Sequence, residues 1–127
     1  MPIGVEEFDK LLAFAKESRI DLVVVGPEAP LVKGLADRLS EAGVPVFGPG
    51  ARAAEIEGSK GFMKDLCAKY RIPTARYRRF TDPSAAKSFA RTLPTPVVIK
   101  ADGLAAGKGV VIAASHDEAD AAIEDMM

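Results

Sequence analysis

Apolar residues first recur along the chain at helical spacing. Val5, Phe8, Leu12 and Ala15 fall on one stripe, which predicts an amphipathic helix over residues 5–17. Leu22–Val25 is an unbroken apolar run ending at Gly26, the pattern of a buried strand. Leu31, Leu35, Leu39 and Ala42 line a second helix, which Gly43 stops and Pro45 follows. Val44–Phe47 reads as another strand, closed by Gly48–Pro49–Gly50. Helix, strand, helix, strand in that order predicts α/β architecture with a parallel sheet.

The second half changes pattern. Residues 50–58 are Ala-rich and predicted helical, and Ser59 is placed to cap a following helix. Its inward face is expected to carry Phe62, Met63, Leu66, Cys67 and Tyr70, with Ile72–Pro73 ending it. Arg76–Phe80 has strand composition. Asp82 then caps a helix with Pro83 at its first position and Ala86, Phe89, Ala90 and Leu93 facing inward. Two β-branched runs follow, Val97–Lys100 and Val110–Ala113. Ser115 and Glu118 match a capping box for a last helix with Ala119, Ala122, Ile123 and Met126 inside. Strand, helix, strand, strand, helix describes a small α+β lobe.

The first half poses a physical difficulty. Two strands do not make an independently stable sheet, and a parallel sheet needs cover on both faces. Residues 1–50 therefore read as the latter part of a larger doubly wound domain, and the chain as a piece truncated at its N-terminus.

Composition narrows the class. The chain has 127 residues, 48% hydrophobic and 28% charged, with a net charge of −1. That is globular, and gives no basic field for nucleic acid. The apolar runs are too short to span a bilayer, and MPIGVEEFDK shows no secretion signal. A single cysteine, Cys67, fits a reducing, cytoplasmic setting; it reads as a core residue. His116, the one histidine, reads as a surface residue. Arg76, Arg78 and Arg79 read as a solvated face.

The richest chemistry lies between the two β-branched runs. Gly103, Gly107 and Gly109 permit close backbone approach, while Lys100 and Lys108 supply positive charge. The spacing is not that of a Walker loop: counted from Gly103, Lys108 stands where the second glycine is required, and the Gly107–Lys108 pair is followed by Gly109 rather than Ser or Thr. A strand also follows rather than a helix. Two readings of this hairpin loop stand side by side: a flap over nucleotide phosphates, or a flexible turn with solvated lysines. Lys100 at a strand end is either a phosphate-binding cation or a snorkelling lysine. Asp102 suits a turn role, hydrogen-bonding backbone amides. Lys60, beside the positive end of a helix, is either an exposed residue or a second anion-binding cation. Gly26–Pro27–Glu28–Ala29–Pro30 joins a strand to a helix at the carboxyl end of the strand, where open α/β sheets bind ligands.

Five blocks carry a family resemblance: VVVGPEAPLVKGLAD (Val23–Asp37), VPVFGP (Val44–Pro49), EGSKGFMKD (Glu57–Asp65), IPTARY (Ile72–Tyr77) and VVIKADGLAAGKGVV (Val97–Val111). In this order they resemble the phosphoribosylamine–glycine ligase family of ATP-grasp enzymes, over nearly the whole chain. The resemblance implies the end of the N-terminal α/β domain over residues 1–57, a connecting helix over 58–73, and the small ATP-grasp lobe with its glycine-rich loop over 74–127. It implies ATP held by Lys60, Lys100, Gly103, Leu104, Ala105, Ala106, Gly107, Lys108 and Gly109, and contact of Gly26, Pro27 and Glu28 with the amine-sugar substrate.

For a whole enzyme, the resemblance implies ATP- and magnesium-dependent ligation of glycine to 5-phosphoribosylamine through glycyl phosphate, in purine synthesis. The family's metal ligands and adenine-hinge strand are expected beyond the chain ends, so the chain by itself is expected to be inactive. Another ATP-grasp carboxylase or ligase, and a non-catalytic α/β binding module, are the alternatives. Oligomeric state is left open.

Overall fold

A computed structural model describes residues 2–105 and 109–127. The chain divides into two compact units, Met1–Met63 and Lys64–Met127.

The first unit opens with α1 (Phe8–Glu17), three residues later than the apolar spacing suggests, since Val5 lies outside the helix and is exposed. Then come β1 (Val23–Val24), α2 (Glu28–Val32), α3 (Leu35–Glu41), β2 (Val46–Phe47) and α4 (Ala51–Gly58). β1 and β2 pair in parallel, Val23 opposite Val46 and Val24 opposite Phe47, as the alternating element order requires. The single helix expected through Leu31–Ala42 is two helices. Gly34, at φ +87°, breaks it with a left-handed turn, its N–H bonded to Leu31 O at 2.9 Å. Pro30 fits inside α2 because it lies in the first turn, where no N–H partner is lost.

α3 ends in a Schellman motif. Gly43, at φ +76°, donates to Ser40 O at 3.0 Å, and Val44 donates to Leu39 O at 2.9 Å. Leu39 and Val44 then pack together with Ala15 and Leu35, one side of the core. Leu31, Ala36 and Ala54 form the other, joining α2, α3 and α4. Asp37 ties α3 to α4 by accepting from Ala51 N–H at 2.7 Å. The opposite sheet face is bare: Val24 is 65% and Phe47 70% exposed.

α5 (Lys60–Tyr70) contains the boundary between the units. Ser59 caps it, accepting from Phe62 N–H at 3.0 Å. Its expected buried face is only partly covered. Phe62, Met63, Leu66 and Cys67 are half-buried, and Tyr70 is exposed.

In the second unit α6 (Pro83–Ala90) and α7 (His116–Met126) pack on one face of an antiparallel hairpin, β3 (Val97–Lys100) and β4 (Val110–Ala113). Asp82 caps α6 through Ala85 N–H at 2.8 Å, and Ser115 caps α7 through Glu118 N–H at 3.2 Å. Glu118 reaches back to Ala114 N–H, one residue before the cap itself, at 2.8 Å. Ala86, Ala90, Val97, Ala113, Ala119 and Ile123 make the core.

Three expectations need correction here. Arg76–Phe80 is not a strand: among the described residues no partner strand is present, and side chains hold the segment instead. His116 is half-buried, its Nε2 3.1 Å from Leu93 O. The arginines are more engaged than a merely solvated face would be. The Arg78 guanidinium lies over the Phe80 and Phe89 rings at 5.5 and 5.4 Å, and Arg79 forms ion pairs.

Candidate functional site

The hairpin places the candidate lysine by simple alternation. Val97 is buried, Val98 exposed, Ile99 half-buried and Lys100 exposed. On β4, Val110 and Ile112 are exposed while Ala113 is buried. The register sets Val98 opposite Ile112 and Lys100 opposite Val110. One face therefore packs on α6 and α7. The other presents an open apolar floor of Val98, Val110 and Ile112 with the Lys100 cation at its end. Among the described residues no carboxylate pairs with Lys100.

The ladder continues one step further. Ala101 N–H donates to Gly109 O at 2.9 Å, closing the base of the glycine-rich loop. Gly109 is buried there, and a Cβ on it would stand 2.5 Å from Ala105 Cβ and 3.4 Å from Ala101 Cβ. Gly103 has φ +85°, a backbone that side chains disfavour. Asp102 performs the expected turn role, its Oδ1 accepting from Gly103 N–H at 2.9 Å. Lys100, Gly103, Leu104, Ala105 and Gly109 are thus gathered at one end of the hairpin. Ala106, Gly107 and Lys108 lie outside the described residues.

The remaining candidates belong to the first unit. Lys60 is the first residue of α5 and half-buried. Gly26 follows β1, Pro27 is the N-cap of α2 and Glu28 its first residue, a favourable place for an acid. All three are exposed, at the carboxyl end of β1.

Sequence reading missed a polar cluster beside the loop. Asp65 on α5 accepts from Tyr77 Oη and from Arg79 Nη1, each at 2.7 Å. These bonds, Tyr77's first, hold the Asp65 carboxyl below the usual aspartate range. The same contact pushes the Tyr77 hydroxyl up. Arg79 Nη2 also approaches Asp102 Oδ2 at 3.4 Å. Lys64 Nζ donates to Thr74 Oγ1 at 2.6 Å and to Ala75 O at 3.1 Å. No local signal pointed to it: Arg79 is 14 residues from Asp65 and 23 from Asp102 along the chain.

Among the described residues no group of three or more His, Cys, Asp or Glu side chains could hold a metal ion. No helix is long and apolar enough to cross a membrane, again among the described residues.

Comparison with known proteins matches the chain to two family models. Residues 1–57 match the phosphoribosylglycinamide synthetase N domain, and residues 58–127 match the phosphoribosylglycinamide synthetase ATP-grasp (A) domain. Among curated relatives, the phosphoribosylamine–glycine ligase of Agrobacterium fabrum strain C58 is 58% identical over 123 residues, covering 97% of this chain and 29% of that protein. That of Rhizobium meliloti strain 1021 is 59% identical over 120 residues, 94% and 28%. That of Escherichia coli K12 is 54% identical over 125 residues, 98% and 29%. The chain thus spans under a third of the length of these relatives. Among solved structures, the biotin carboxylase domain of Hydrogenobacter thermophilus 2-oxoglutarate carboxylase, in complex with ADP, magnesium and bicarbonate, superposes with a TM-score of 0.75 at 22% identity. It covers 97% of this chain and 28% of that one. That likeness concerns the fold. The family matches span the sequence from end to end, and the chain belongs to the phosphoribosylglycinamide synthetase family.

Proposed function

We propose that this chain supplies part of the ATP site of a phosphoribosylamine–glycine ligase, acting in purine synthesis in the cytoplasm. The observation that carries the reading is the position of Lys100. It stands on the open hairpin face beside an apolar floor, next to a loop base that Ala101 and Gly109 close. An adenine ring or ribose suits such a floor, and a phosphate suits the cation and the loop amides. Residues 1–57 are assigned to the N-terminal domain, 58–73 to a connecting helix and 74–127 to the small ATP-grasp lobe.

In the whole enzyme a glycine carboxylate oxygen attacks the γ-phosphorus of ATP. The bond from that phosphorus to ADP breaks, and the carboxylate becomes a good electrophile. The amine of 5-phosphoribosylamine then attacks the acyl carbon and phosphate leaves. The part given to this chain is positioning. Lys100, the amides of Gly103 to Gly109, Lys108 and Lys60 offset phosphate charge, and Gly26, Pro27 and Glu28 line the side facing the amine sugar. Magnesium would neutralise phosphate charge, and no residue described here is assigned to hold it.

Amide exchange of the chain with and without magnesium and ATP tests the reading. Slowed exchange over residues 100–109 is expected, and unchanged exchange there would overturn it. Given ATP, magnesium, glycine and phosphoribosylamine, the chain by itself is expected to release no ADP.

A further inference from the structure

We propose that Arg79 is a positioning residue for the glycine-rich loop, joining the aspartate at the loop's entry, Asp102, to Asp65 on α5. The three residues come from segments far apart in sequence and meet within one unit. Arg79 spends one terminal nitrogen on each carboxylate: Nη1 on Asp65 at 2.7 Å and Nη2 on Asp102 at 3.4 Å. A planar guanidinium does this with one rigid fork, which a lysine's single ammonium does not reproduce.

Each carboxylate is itself anchored. Asp65 takes its second bond from Tyr77 Oη at 2.7 Å. Asp102 turns its other oxygen to Gly103 N–H at 2.9 Å, so the group that shapes the loop's left-handed turn is the one Arg79 holds. The arginine is not an isolated surface pair, a kind that contributes little. It neutralises two acids that would otherwise repel, and it links the loop's entry to a helix. Lys64 adds to this by pinning Thr74 and Ala75 to the same helix. Lys100 and Gly103 are thereby presented from a fixed base.

The experiment follows amide exchange at Ala101–Leu104 in the 127-residue chain without nucleotide. Arg79→Met keeps the aliphatic stem and removes the fork. It is expected to speed exchange there about two- to fivefold, the range such exposed pairs support. Exchange in the α7 core, at Ala119 and Ile123, should not change. Asp65→Asn should give the same result, and the double variant no more than either single one. Raising salt should speed exchange at these amides in the parent and not in Arg79→Met, which a packing role would not produce. Unchanged exchange in Arg79→Met, or salt dependence that survives it, would overturn the assignment. If Arg79→Met unfolds the chain, Asp65→Asn decides by the same readings. A further expectation, which rests on the proposed ATP site, is weaker binding of magnesium-ATP by Arg79→Met. Absence of binding by the parent chain would sink the ATP reading and leave the exchange result to judge Arg79.

Discussion

Gly109 and Ala105 face each other at the base of the loop so closely that a methyl group on the glycine would lie 2.5 Å from the alanine's. Gly109→Ala is therefore expected to destabilise the chain by about 1–3 kcal/mol, the usual cost of forcing atoms into a packed site. Urea denaturation measures it. Adding Ala105→Gly removes the opposing methyl and should return most of the loss. A Gly109→Ala chain as stable as the parent would mean that the loop base has room to shift.

Lys100 separates binding from stability. It is exposed and its strand partner is Val110, so Lys100→Met should alter stability by no more than about 0.5 kcal/mol. Loss of a charge-assisted contact to phosphate costs about 1.5–3 kcal/mol. Calorimetric titration with magnesium-ATP should then show affinity lowered about 10- to 100-fold. Equal affinity in both chains would remove Lys100 from the site.

Tyr77 and Asp65 make a pH prediction with a fixed sign. The shared hydrogen bond raises the Tyr77 hydroxyl and lowers the Asp65 carboxyl. Its stabilisation is present between the ordinary aspartate and tyrosine values. It is lost when pH falls through the depressed carboxyl or rises through the elevated phenol. In a Tyr70→Phe background Tyr77 is the one tyrosine left, since the chain has two. Ultraviolet phenolate absorbance should show it ionising above the usual tyrosine range. Asp65→Asn should bring the titration down, and no movement would show that the bond does not persist in solution.

Arg19 and Arg71 adopt left-handed backbone conformations at φ +50° and +56°. Each closes its helix as glycine commonly does: Ile20 N–H reaches Ala15 O at 2.9 Å, and Ile72 N–H reaches Cys67 O at 2.8 Å. Both side chains are exposed, so glycine there removes strain without removing packing. Arg19→Gly and Arg71→Gly are each expected to raise stability by about 0.5–1 kcal/mol, read from the urea midpoint. A lowered midpoint would show that the arginine side chains contribute more than the strain costs.

The difference between what the sequence disclosed and what it hid is a difference between local and distant causes. Asp82, Ser115 and Ser59 were legible as caps because each bonds an amide three residues on. The hairpin was legible because Val97–Lys100 and Val110–Ala113 have the β-branched composition and the length of strands. Arg76–Phe80 misled because strand composition reports an extended backbone, not the presence of a partner. Gly34 was hidden inside a helical period that continues on both sides of it. In the site, Lys100 and the glycines stood out by residue type between two strands, and their assignment to ATP came from the family resemblance. The link between Asp65, Arg79 and Asp102 depends on tertiary placement, which no local pattern encodes.

The uncovered side of the β1–β2 pair has a practical consequence. Val24 and Phe47 sit side by side in register, and among the described residues neither strand has a second neighbour. Greasy surface and free backbone edges coincide there, and that pairing is what makes polypeptides stick to one another. Crowding, more than heat, should therefore govern how this polypeptide behaves in the tube. Dilute samples will stay dispersed, and concentrated ones will clump through this ribbon first.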